Sequence, residues 1–361
     1  MNVQFLIGCY AVICLSMIAY NCFCIVFFRQ RDEFVAHRSA AFRQLLADPD
    51  ALSDPARRRR LSRRLRGVNE LLAFEDAMRA MRSAQPQTFA GCRPQAAELL
   101  RALVPVYARK PAMQQACFAH VLAEFGVPRL APDEELFRFL FQLLQDSSLY
   151  CRENAMRALY ASGRVDMVLQ GLRVVDESET FYNMRLITEG LLAFDGDREA
   201  LIAALWEALP GFRSGTQVAV LNFIRFGSGN WADPMLRLLR TTQDTEVTIA
   251  CLRYFGRYPS AEALPLIRRF AQQGEEQWEV VAVAMTVLAS YPGEETVELL
   301  KQGLYSRNWY VRSNAAESLS RLRADYQQLR DVLEGPDPYA RQILRFQLEH
   351  AMTDEERRNA D

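Results

Sequence analysis

Residues 146–163 read DSSLYCRENAMRALYASG. Within this stretch Ala155 is small and apolar, Leu159 is larger, and four residues separate them, so both face one side of a helix. The same pair recurs as Cys117 with Val121, Ile187 with Leu191, Ala219 with Phe223, Cys251 with Phe255, Ala284 with Leu288, Ala315 with Leu319 and Leu344 with Leu348. The first members are 38, 32, 32, 32, 33, 31 and 29 residues apart. A unit of that length cannot bury its own apolar face and must stack on copies of itself, which makes a solenoid.

Turn chemistry keeps the same beat. Seven residues before it stand Ser148, Thr180, Asp244, Asn308 and Asp337, whose side-chain oxygens suit the orphan amides of a helix start. Pro111 and Pro338 lie at such starts, where a missing donor is harmless. Gly163 and Gly227 fall eight residues past the beat, where a left-handed residue ends a helix. Further amphipathic segments precede the beat helices, at Asp133 to Leu144, Arg198 to Leu209, Ala261 to Phe270 and Thr296 to Leu304. The unit is a helical hairpin, and the fold class is all-α.

The stretch 146–163 resembles the HEAT repeat of the short bacterial type, and Asn308 to Leu319 and Asp337 to Leu348 match it less fully. The resemblance rests on a loop Asp or Asn (Asp146, Asn308, Asp337), an arginine (Arg152, Arg312, Arg341), and Ala and Leu on the packing face. It implies an α-solenoid of stacked antiparallel helix pairs with a concave protein-binding surface, over about residues 93 to 350. Met184, Thr216, Thr248 and Val281 replace the arginine in the middle repeats, which breaks the loop ladder there. Such a resemblance speaks to fold, not to function.

Residues 3–28 carry no charge over 26 positions, and about 20 suffice to cross a hydrocarbon core. One transmembrane helix is therefore expected ahead of the solenoid. A cleaved signal peptide fits less well, because no basic residue leads the apolar run and no small-x-small site follows it. Eleven arginines follow within residues 29 to 66: Arg29, Arg31, Arg38, Arg43, Arg57, Arg58, Arg59, Arg60, Arg63, Arg64 and Arg66. Positive flanks stay inside, so the expected location is a bacterial inner membrane, single-pass, N-terminus out and solenoid cytoplasmic. Asn21 offers a hydrogen bond to a neighbouring membrane helix.

The formal net charge of −1 hides an asymmetry. Residues 29–110 hold 17 basic and 9 acidic side chains, net +8, whereas 111–361 hold 26 and 35, net −9. A basic neck beside anionic lipid gains roughly 1 kcal/mol per near-surface cation. Arg29, Arg31, Arg57, Arg58, Arg59, Arg60, Arg63 and Arg64 are thus the lipid-proximal candidates, against the plain alternative of a solvated helix face. The expected layout is an anchor at 1–28, a basic stalk and neck at 29–92 with a loop over Ser83 to Pro94, about eight repeats at 93–350, and a frayed tail at 351–361.

Catalytic constellations are missing from the sequence. His37, His120 and His350 are far apart and form no metal-binding pair, and there is no Cys-x2-Cys, phosphate loop or Gly-x-Ser-x-Gly. Gly227-x-Gly229-x-x-Ala232 imitates a dinucleotide fingerprint but follows a helix instead of a strand. Neither an enzyme activity nor a cofactor is expected. The leading reading is a membrane-tethered cytoplasmic scaffold that binds the lipid bilayer and an unidentified protein partner, a membrane-associated enzyme such as a glycosyltransferase among the candidates. A HEAT-like lyase or chaperone-type enzyme subunit is the alternative that the resemblance leaves open. Nucleic-acid binding ranks below both, because the solenoid's net charge of −9 opposes phosphate.

Positions two before, two after and six after the beat form a stripe at i, i+4 spacing, which the HEAT resemblance places on the concave side. Spacing pairs Glu153 with Arg157, Arg185 with Glu189 and Glu317 with Arg321. Arg225, Arg253 and Arg257 have Leu221, Ile249 and Arg253 four residues before them and stay uncompensated, which nominates them as partner-binding residues. Ordinary solvated arginines are the competing reading.

Overall fold

The computed structural model describes residues 3–48, 52–178 and 182–360, all of them in helices, turns or loops, with no strand among them. The chain divides into two compact units. One runs to Tyr182 and takes in Ala193–Asp197; the other holds Asn183–Leu192 and everything from Arg198 onward.

The first unit contains α1 (Val3–Leu46), α2 (Pro55–Arg64), α3 (Val68–Ala84), α4 (Pro86–Arg101), α5 (Val104–Tyr107), α6 (Ala112–Glu124), α7 (Val127–Leu130), α8 (Glu134–Leu144), α9 (Leu149–Tyr160) and α10 (Val165–Glu177). Among the described residues α1 is long and apolar enough to cross a membrane; an 18-residue window within it has a mean hydropathy of 2.0 and no burial. Tyr10, Val12, Ile13, Leu15, Ile18, Phe23 and Ile25 are all exposed on it. The end of α1 is different in kind. Phe42 and Leu46 are buried, Phe42 meets Phe74 edge-on at 5.7 Å, and Ser39 Oγ donates to Asp76 Oδ2 at 2.6 Å, so this end packs against α3.

Helix packing thus begins well before residue 93. The expected loop over Ser83 to Pro94 is a correction: α3 runs to Ala84 and α4 opens at Pro86. Proline is at ease in a first helical turn, and Phe89, Cys92, Ala96, Leu99 and Leu100 give α4 a buried face that Pro94 does not interrupt. Tyr107 stacks on Phe118 at 4.1 Å and its hydroxyl donates to the Leu65 carbonyl at 2.8 Å. The long first step of 38 residues accommodates α7, which Gly126 opens at a left-handed φ of 64°. Gly163 is left-handed as expected, with φ 68°, and a Cβ there would lie 2.7 Å from the Asp195 carbonyl oxygen. Gly227 is not; it is the last residue of its helix.

The second unit contains α11 (Met184–Leu192), α12 (Arg198–Ala208), α13 (Ser214–Gly227), α14 (Ala232–Thr241), α15 (Thr245–Arg257), α16 (Leu264–Ala271), α17 (Trp278–Leu288), α18 (Glu294–Gly303), α19 (Trp309–Arg321), α20 (Tyr326–Leu333) and α21 (Pro338–Ala360). The beat helices α11, α13, α15, α17, α19 and α21 pack in series, each on the next. Their hairpin partners lie beside them: α12 on α13, α14 on α15, α16 on α17, α18 on α19 and α20 on α21. The fold is an all-α stack of helix pairs. Every beat residue is buried except Cys117, and every larger partner except Leu348. The α21 backbone stays helical through Ala360, past the point where the sequence suggests fraying, because no Gly or Pro interrupts it after Pro338. Asp361 lies outside the described residues, as do Pro49 and Asp50 of the expected stalk stop.

Side chains tie α11 to α13, the turn after α17 to α15, and α19 to α17. Thr188 Oγ1 donates to Ala219 O at 3.1 Å, Ser290 Oγ to Gly256 O at 2.8 Å, Asn314 Nδ2 to Ala282 O at 2.9 Å and Ser318 Oγ to Met285 O at 2.8 Å. The family-type arginines do a different job. Arg152 Nη1 donates to the carbonyls of Asp146 and Ser147, Arg312 Nη1 to those of Ser306 and Arg307, and Arg341 Nη1 to that of Gly335, so each pins the loop before its own helix. Where that arginine is replaced, Gln217 Nε2 closes the loop instead, on Phe212 O at 2.8 Å.

Asp244, Asn308 and Asp337 accept from backbone N–H groups as helix caps. Ser148 makes no side-chain cap, and the Asp146 carboxylate accepts from the Ser148 N–H instead. Thr180 lies outside the described residues.

Two outcomes follow. Ala284 is fully buried between neighbouring helices, so Ala284→Arg places an unpaired charge there and should destabilise by about 3 kcal/mol or more, read as loss of a cooperative melt of the detergent-solubilised protein. The Val247 N–H holds the Asp244 carboxyl below its usual range, so its stabilising effect is complete above about pH 3.9 and is lost as the pH falls through the folded value. Asp244→Ala should therefore lower stability by about 1 kcal/mol at neutral pH, and the gap between mutant and wild-type melting temperatures should close in acid.

Candidate functional site

Arg225 sits in the last turn of α13, Arg253 and Arg257 in the second half of α15, and Arg321 ends α19. All belong to the second unit. Successive beat helices present the same face, which brings these four side chains around one cavity of about 510 Å³. Its remaining lining comprises Phe226, Gly256, Val283, Thr286, Val287, Ser290 and Asn314. That volume lies within the range of small-molecule and peptide side-chain pockets. Between the arginine-bearing helices, Thr286 on α17 and Ser290 in the turn just after it stand at stripe positions, and their short side chains leave the space open.

No carboxylate lines the cavity. Among the described residues none of the four arginines forms an ion pair or a hydrogen bond. Arg225 Nε is buried without an acceptor. Burial, and then the like charges of Arg253 and Arg257, push the Arg225 guanidinium below the ordinary arginine value. The Phe226 ring offers partial compensation: the guanidinium carbons of Arg225 and Arg257 lie 4.5 and 5.5 Å from its centroid. Other lining donors are committed. Thr286 Oγ1 donates to Ala282 O, Ser290 Oγ to Gly256 O and Asn314 Nδ2 to Ala282 O.

The three arginines singled out by spacing therefore meet, and a fourth joins them. Arg321 is overlooked in the sequence because Glu317 precedes it by four residues, yet that pair does not form. Arg185 and Glu189 do pair, at 2.6 Å. Arg157 does not reach Glu153; its Nη1 lies 3.3 Å from His120 Nδ1. Since a guanidinium can only donate, this geometry makes Nδ1 the acceptor and leaves Nε2–H to donate to the buried Glu75 at 3.2 Å. Glu75 also pairs with Arg79.

The neck arginines divide into two sets. Arg29 pairs with Glu33 at 3.0 Å, Arg31 with Asp32 at 3.1 Å, Arg57 with Asp48 at 2.8 Å, and Arg64 lies 3.7 Å from Glu70. Arg58, Arg59, Arg60 and Arg63 form no ion pair among the described residues, and Arg59, Arg60 and Arg63 are exposed. No cluster of three metal-ligating side chains occurs among the described residues. The thiols outside α1 are raised by burial: those of Cys92, Cys151 and Cys251 lie above the usual value, and that of Cys117 is pushed up to about 11 by burial with the Glu75 charge adding to it.

No curated protein matches the chain. A family model described as HEAT repeats matches it twice, over residues 232–320 and 273–349, which takes in α14 through the first half of α21 and two of the three helices that carry the cavity's arginines. Loops pinned by Arg312 and Arg341, buried small residues at the beat and serially packed hairpins are the physical content of that match, and over residues 232–349 this chain is made of HEAT repeats.

Proposed function

We propose that the chain is a membrane-tethered adaptor that holds a protein partner on the arginine-lined face of its HEAT repeats. The observation that carries this reading is the cavity itself: four guanidiniums, no internal carboxylate and an unsatisfied buried Nε. A folded chain that gathers like charges without compensating them is less stable for it, unless an outside anion supplies the counter-charge. HEAT repeats offer extended surfaces suited to protein partners, and the absence of a nucleophile, acid–base pair or metal set from this face directs the reading to binding.

Tethering is supported by the unburied apolar stretch of α1, since a contiguous exposed apolar surface of that kind marks an interaction with lipid or protein. The arginines that follow the apolar stretch favour a cytosolic solenoid under the flank rule. The set without ion pairs, Arg58, Arg59, Arg60 and Arg63, is the portion of the neck free to engage anionic headgroups.

Two experiments test this. Charge reversal of Arg225, Arg253 and Arg257 to Glu should abolish co-purification of the protein that the wild type retains from solubilised membranes, while membrane insertion persists and unfolding stays cooperative; unchanged retention refutes the assignment. A reporter that fluoresces only in the cytoplasm, fused after Asp361, should light up, and protease added to intact cells should leave the repeats uncut; cleavage from outside overturns the orientation.

A further inference from the structure

We propose that the arginine cavity is a receptor for a phosphate monoester, carried on a phosphorylated side chain of the docking partner. The inference rests on the adaptor reading and specifies what that partner presents.

Charge comes first. Arg225, Arg253, Arg257 and Arg321 surround one space without a carboxylate. A single Asp or Glu side chain brings one negative charge and leaves most of the site uncompensated. A phosphate monoester brings about −1.5 to −2 and three strong acceptor oxygens, each able to take more than one donor. Guanidinium forks are the protein groups that match such oxygens two at a time. Arg225 Nε, buried without an acceptor, is a donor already desolvated and awaiting one.

Selectivity follows from the rest of the lining. Thr286 and Ser290 spend their hydroxyl donors on backbone carbonyls and Asn314 spends one of its two amide N–H groups there, so nearly all the available donors are the arginines'. Phe226 holds two of those guanidiniums against its ring, which limits their freedom before any ligand arrives. The cavity of about 510 Å³ is many times the roughly 30 Å³ that one water occupies, and Val283, Val287 and Gly256 give it an apolar wall. A free phosphate ion leaves that wall uncovered. A phosphate attached to a side chain does not.

The test uses full-length protein in nanodiscs and labelled peptides of one acidic-flanked sequence, bearing phosphoserine, phosphotyrosine, glutamate or unmodified serine at the central position. Phosphorylated peptides should bind at least about tenfold more tightly than the glutamate and serine versions, and added inorganic phosphate should displace them. Arg225→Gln and Arg257→Gln should each weaken phosphopeptide binding by about tenfold or more, and Arg225→Lys should weaken it as well, because the planar fork is lost. Arg330→Gln, at an exposed arginine of α20 that pairs with Glu334 and lies outside the cavity, should leave binding unchanged. Wild-type protein provides a readout free of folding concerns: phosphopeptide should shield Arg225 and Arg257 from phenylglyoxal, detected by mass spectrometry.

Equal affinity for the glutamate and phosphorylated peptides overturns the inference, as does preference for a single-stranded oligonucleotide of equal charge or a failure to shield the two arginines. The two readings fail separately. If the Glu reversals abolish partner retention while phosphopeptides bind no better than glutamate peptides, only the phosphate inference falls. If phosphopeptides bind but no protein is retained from membranes, only the adaptor reading falls.

Discussion

Close approach between consecutive beat helices is the constraint on which the rest of this structure depends. No hairpin here encloses a core of its own; each becomes stable by covering the next, and the covering works only where one face stays small. Ala155, Ala219, Cys251, Ala284 and Ala315 meet that condition and are fully buried. Glycine tightens it further at Gly303, where a Cβ would fall 2.9 Å from Met285 Sδ and 3.0 Å from Ala315 Cβ. Stability in such a stack is a sum of neighbour terms, so a misfit at one beat position acts on two interfaces at once.

The same geometry explains how a binding face arises without being built as a pocket. Beat helices in register repeat their outward positions as faithfully as their inward ones. Arginine at the six-after position of α13, α15 and α19 is therefore delivered to one place by the packing of unrelated apolar residues on the opposite side of each helix. Thr286 on α17 and Ser290 just past it keep the intervening space open; the Thr286 hydroxyl is spent within its own helix, whereas that of Ser290 bonds the Gly256 carbonyl of α15 and serves the stack as well as the cavity.

Much of this was legible in the sequence, because burial at the beat leaves a periodic trace. The repeat register, the hairpin unit, the left-handed Gly163 and the meeting of Arg225, Arg253 and Arg257 all follow from that trace. What escaped had local causes. Polar residues and Pro94 disguised the start of α4, whose apolar face is spaced by turns that a proline tally does not see. Arg321 was assigned to Glu317 by spacing, yet an exposed i, i+4 pair gains only a few tenths of a kcal/mol and is readily forgone. Arg157 likewise left Glu153 for His120, a partner 37 residues away that no local rule finds. The loop arginines Arg152, Arg312 and Arg341 were placed correctly, but their acceptors are main-chain carbonyls that a sequence does not display.

One consequence of α1 concerns reach. Its 44 residues form an unbroken helix, about 66 Å at 1.5 Å per residue, and its last two turns are cemented into the first unit by Phe42 and Leu46. A shaft differs from a string of equal length. Under the tethering proposed above, a flexible linker would let the first unit sweep a hemisphere, whereas a stiff one would hold it at one standoff height. Rotation or tilt of the apolar segment is passed to α3 as motion of a rigid rod, so that under the same proposal the surrounding lipid thickness would set the angle at which the first helices are presented.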